Sequence, residues 1–135
     1  MKHLLTTTAA IEAGTGLALI AFPSPMATIL LGTPTDTPVA LTVARAAGVA
    51  IFALAAVCWL VRNDGQGHTV RGLVSAVALY NAGIIVVLAY GGINLGLSGI
   101  GLWPTVGLHG AMAAWCVTNL LKSHSPGGTP PPPTV

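Results

Sequence analysis

The chain has 135 residues, 53% of them hydrophobic and only 6% charged, with a formal net charge of +2. A soluble domain carries about 25% charged residues, so in water this surface would be one large apolar patch, and lipid is its natural solvent. The composition offers no basic patch for nucleic acid, and the two cysteines, Cys58 and Cys116, form neither a CxxC motif nor a secreted disulfide framework.

Met1-Lys2-His3 is a short basic start, and residues 4–22 form the first apolar block. A signal peptide would need an uninterrupted apolar core followed by a small-x-small cleavage site. Glu12 interrupts the block and no convincing site follows, so a retained first span is expected over 4–22. Ser24 is a good N-cap and Pro25 suits a first helical turn. They permit a short interfacial helix over 25–31 in the first outer loop; the other reading is a first helix that kinks at Pro23 and continues. Residues 33–38, TPTDTP, are a turn-rich loop.

The second span is expected over 39–61, with Arg45 near its start and Cys58-Trp59 near its end. Residues 62–68, RNDGQGH, make the clearest polar loop. The third span, 70–90, carries Tyr80-Asn81 at its middle, and a glycine-rich, uncharged stretch follows over 91–101. The fourth span, 102–121, contains His109. Residues 123–135 include Pro-Gly-Gly and four consecutive prolines, and are expected to be a disordered, partly polyproline tail.

These blocks predict an all-α fold, a four-helix transmembrane bundle over residues 1–122. Lys2, Arg62, Arg71 and Lys122 fall at one set of span ends, and the two opposite loops carry no Lys or Arg. The positive-inside rule then places both termini in the cytoplasm and the chain in the inner membrane. Trp59 and Trp115 would sit near the inner interface, Tyr90 and Trp103 near the outer one. Lipid tails give no hydrophobic drive between helices, so packing is expected through small residues: Ala10/Gly14/Ala18, Ala44/Gly48 and Gly110/Ala114.

Few polar residues remain to carry chemistry. A Glu at the middle of a span costs about 3 kcal/mol on insertion scales, so Glu12 is expected to face inward, with Thr8, Thr15 and Gly16 on its side of the helix. At about 1.5 Å of rise per residue, Asn81 and His109 lie at similar depth, and Arg45 about 10 Å nearer the outer surface. The candidate site is therefore Glu12, Arg45, Asn81 and His109, with Tyr80 beside it. It reads equally as a proton or ligand site and as a polar clasp that fixes helix register. Arg45 taken alone reads as an interfacial anchor. Cys58 and Cys116 read as core residues, because a zinc site needs about four ligands. The sequence has no nucleophile elbow, HExxH, phosphate loop or dinucleotide fingerprint. A non-enzymatic protein is expected, with no catalytic residue, no cofactor and no metal. Its expected partners are the lipid bilayer and either a second copy or a larger membrane complex.

The run IEAGTGLALIAFP, then LLG, ARAAG, CWL, LWP and an HGA, resembles the small uncharacterised four-span bacterial membrane proteins that are loosely DoxX-like. That resemblance implies a four-helix bundle and brings no established activity. Glu12 followed by Gly14-Thr15 is also similar to the first-span motif of the small multidrug-resistance exporters. This second resemblance implies a proton and cation site at Glu12 shared by two subunits. The third span lacks the aromatic-Gly-x-Gly pattern of that family. The preferred function is an accessory, scaffold or small-ligand-binding protein; the alternative is a proton-coupled exporter acting as a dimer.

Overall fold

The computed structural model describes residues 1–65 and 67–123. Five α-helices lie among them: α1 (Lys2–Ala21), α2 (Pro23–Leu31), α3 (Pro38–Val61), α4 (His68–Asn94) and α5 (Leu102–Lys122). The tail read as disordered, residues 123–135, lies outside the described residues except for Ser123.

The breaks follow from local chemistry. Phe22 leaves helical geometry, with φ −130° and ψ 57°, because the residue before a proline is crowded out of the α region. Pro23 then opens α2, so the chain breaks there instead of running on through a kink. Gly32 ends α2 with φ 82°, a left-handed cap that glycine adopts without Cβ strain. The Thr37 hydroxyl caps α3 by accepting from Ala40 N at 3.2 Å, with Pro38 at the first turn.

Among the described residues three helices are long and apolar enough to cross a membrane: α1, α3 and α4. With 20, 24 and 27 residues they extend about 30, 36 and 40 Å, against a hydrocarbon core of about 30 Å. The chain is an all-helical, multi-spanning membrane protein. The expectation of a four-helix transmembrane bundle is overturned. The stretch read as the fourth span is α5, which at 21 residues is long enough but is not among the helices apolar enough to cross. Pro104, Thr105, His109, Thr118, Asn119 and Lys122 dilute its leucines, valines and alanines. Three such helices do not return a chain to its starting face, so the argument that put both termini in the cytoplasm loses its footing.

The closest packing is α1 on α3, followed by α4 on α5. The two pairs meet in three layers. At the end where α1 begins, Leu4 and Leu5, Cys58, Val70, Val74, Val77, Met112 and Cys116 form an apolar core contributed by α1, α3, α4 and α5. Polar side chains occupy the middle layer. At the far end, the 95–101 loop closes over α2: Ser98 N donates to Leu31 O at 3.3 Å and Gly101 N to Ile29 O at 2.8 Å. Those carbonyls belong to the last turn of α2 and have no partner within their own helix. The approach is so close that a Cβ on Gly99 would lie 2.3 Å from the carbonyl carbon of Leu30.

Candidate functional site

The inward face of α1 presents Leu5, Thr8, Glu12 and Gly16, all buried, at helical spacing. Glu12 is 4% exposed, and its Oε2 accepts a hydrogen bond from the Tyr80 hydroxyl of α4 at 3.0 Å. The Tyr80 ring meets the His109 ring of α5 edge to face, with centroids 5.8 Å apart. His109 Nδ1 lies 2.7 Å from Asn81 Oδ1. The four side chains thus form one connected cluster from three helices, Glu12–Tyr80–His109–Asn81.

One bond sets the polarity of that cluster. Asn81 Nδ2 donates to Val77 O, one turn back on α4, at 2.7 Å. This orientation of the amide turns Oδ1 toward the imidazole, and an amide oxygen only accepts. The His109 proton therefore sits on Nδ1, an assignment made from the network. Nε2 is left as the acceptor of the neutral ring.

Thr8 completes the layer. It lies one turn before Glu12, where i and i+4 side chains are neighbours. Its Oγ1 is fully buried and has no hydrogen-bond partner among the described residues. Helical Thr and Ser commonly bond a carbonyl three or four residues back, as Thr28, Thr42 and Ser75 do here. The sequence showed Thr8 on the face of Glu12 by periodicity alone, but its missing bond is visible only in the fold.

Arg45 is not part of the cluster. It is exposed on α3, and its Nε donates to Ile20 O at 3.2 Å. Ile20 lies in the last turn of α1, eight residues past Glu12, about 12 Å along the helix. A cation there satisfies an orphan carbonyl and complements the negative end of the helix dipole. Among the described residues no ion pair reaches Glu12, and no group of three or more His, Cys, Asp or Glu is arranged to hold a metal ion. Cys58 and Cys116 are free thiols buried in the apolar core.

The arrangement is a buried carboxylate with one phenol donor, an imidazole of fixed tautomer and an unused hydroxyl. It can bind a proton or a hydrogen-bond donor. No protein-family model matches this chain, and no curated protein and no solved structure matches it either.

Proposed function

We propose that the chain is a non-enzymatic membrane protein that binds a small ligand at Glu12, Tyr80, Asn81 and His109, the ligand carrying an ammonium or another strong donor on an apolar body. One observation carries this reading: a buried carboxylate that, among the described residues, receives only a phenol hydroxyl and no cation. A buried charge is costly unless paired and hydrogen-bonded, so Glu12 either holds a proton or receives a cation from outside the chain. The unused Thr8 hydroxyl, one turn away, supplies a further polar contact. The reading favours binding over catalysis because Asp36 and Asp64, the other two acidic residues, lie in loops outside the cluster.

The test uses protein purified in mild detergent, with thermal unfolding read in the presence of a lipophilic primary amine and of the matching alcohol. The amine raises Tm and the alcohol does not. Glu12→Gln keeps shape and hydrogen bonding, remains as stable as wild type, and loses the amine shift. Thr8→Val stabilises the empty protein, because a buried unpaired hydroxyl costs about 1–3 kcal/mol, yet weakens the amine. An amine shift that survives Glu12→Gln would eliminate this site.

The lack of a cation at Glu12 also supports the second reading, proton-coupled export by a dimer. Export requires that wild-type protein release protons when a hydrophobic cation is added, and that Glu12→Gln abolish the release. Binding without proton release leaves the first reading alone.

A further inference from the structure

The Lys2 end of the α1–α3 pair carries two adjoining grooves that the Glu12 cluster does not use. The first, about 360 Å³, lies between α1 and α3 and is lined by Ala10, Ala13, Ala55 and Ala56 with the rings of Phe52 and Trp59. From Phe52 to Trp59 it runs about 10 Å along the helix. Ala10 and Ala56 are exposed, and α1 and α3 are both membrane-crossing by length and composition, so the groove opens to the acyl region of the bilayer. The second, about 410 Å³, is lined by Met1, Lys2, Arg62, Asn63 and Gly65. Among the described residues no carboxylate lines it; Asp64 sits in the same turn but outside the lining.

One contact joins the two. The Arg62 guanidinium lies 3.5 Å above the centroid of the Trp59 ring and also donates through Nη1 to Trp59 O. The stack holds the planar fork at the mouth of the apolar groove. Its other N–H groups have no acceptor among the described residues, and neither does Lys2. An Arg fork fixed in this way is suited to a phosphate.

We propose that the two grooves together hold one anionic phospholipid, with an acyl chain along the alanines and the phosphate between Lys2 and Arg62. Charge decides between this occupant and a second copy of the chain. A two-fold contact through this face sets the same patch against itself, with both Lys2 and Arg62 pairs brought close and no acid in the lining to relieve them. A basic pocket between membrane helices at the headgroup level is the expected counterpart of an acidic lipid.

The experiment is native mass spectrometry of the delipidated full chain in detergent, titrated with phosphatidylglycerol, phosphatidylcholine or water-soluble glycerol phosphate. One phosphatidylglycerol binds per chain, several-fold tighter than phosphatidylcholine, and glycerol phosphate fails to compete. Each basic residue near the surface is worth about fivefold, so Lys2→Gln/Arg62→Gln weakens phosphatidylglycerol about thirtyfold. Ala56→Leu fills the groove, leaves both charges in place, and also weakens it. Lys2 and Ala56 are exposed and Arg62 is half-buried, and circular dichroism checks that the variants stay helical. Equal binding of phosphatidylcholine, or retained affinity in the double variant, overturns the site. Competition by glycerol phosphate replaces it with a free-phosphate pocket that has no use for the groove.

Discussion

Helix α1 makes two contacts that work in opposite ways. Toward α3 it packs backbone to backbone. A Cβ on Gly16 would lie 2.8 Å from both Gly48 O and Phe52 N, and a Cβ on Gly48 would lie 2.8 Å from Gly16 O. Toward α4 and α5 it meets long side chains, with Glu12 reaching Tyr80 and, through the Tyr80 ring, His109. The first contact depends on the absence of atoms, the second on the donors and acceptors of a few polar groups. In lipid both are sound ways to associate, because neither relies on expelling water. They differ in tolerance. A backbone wall cannot move aside, whereas a polar cluster can exchange one partner for another or for a ligand.

The largest expected effect tests the rigid side. Gly16→Ala should lose about 3 kcal/mol, the upper part of the usual range for overpacking, because both obstructing atoms are backbone. Gly14→Ala, two residues away with nothing within 4 Å of the new Cβ, should be neutral or slightly stabilising. Detergent unfolding of the two variants side by side measures this. Equal stabilities would show that α1 and α3 are not held at the Gly16–Gly48 crossing.

An intermediate effect is expected at the polar side. Asn81→Leu leaves the His109 Nδ1 proton without an acceptor and should lose about 2 kcal/mol. Combining it with His109→Phe should recover part of that loss, since the orphaned donor is then gone as well. A coupling energy near zero in that double-mutant cycle would separate the two residues energetically despite their 2.7 Å contact.

The smallest effect belongs to Arg45. As a cap on the last turn of α1 it should contribute about 0.3–1 kcal/mol, and Arg45→Gln should leave amine binding at Glu12 unchanged. A binding loss as large as that of Glu12→Gln would return Arg45 to the site.

Several features were legible in the residues themselves. A chain with so little charge must live in lipid, and a mid-span Glu must turn inward, because its exposure to acyl chains is costly whatever the partner. Periodicity alone aligned Thr8 and Gly16 with Glu12, and depth along their helices put Asn81 and His109 at the level of Glu12; either was expected as its partner, but Tyr80 takes that place and Asn81 meets His109 instead. The small-residue motifs misled on α1. Ala10/Gly14/Ala18 has the spacing of a packing seam, yet a Cβ on Gly14 would meet nothing within 4 Å, while Gly16 lies against the α3 backbone. Spacing defines a stripe on a helix but not which stripe meets a neighbour.

Sequence by itself determined the solvent of this protein, its helical class and the few polar residues available for chemistry. These follow from transfer free energies and backbone hydrogen bonding, which act on each segment separately. Only the tertiary structure decided that Arg45 turns to the end of α1, that Tyr80 is the donor to Glu12, that Asn81 fixes the His109 tautomer, and that the 95–101 loop caps α2. Each of these depends on the rotation of one helix against another. In a bilayer, where every outward face is equally apolar, that rotation is set by close contacts between particular residues and not by a hydrophobic stripe.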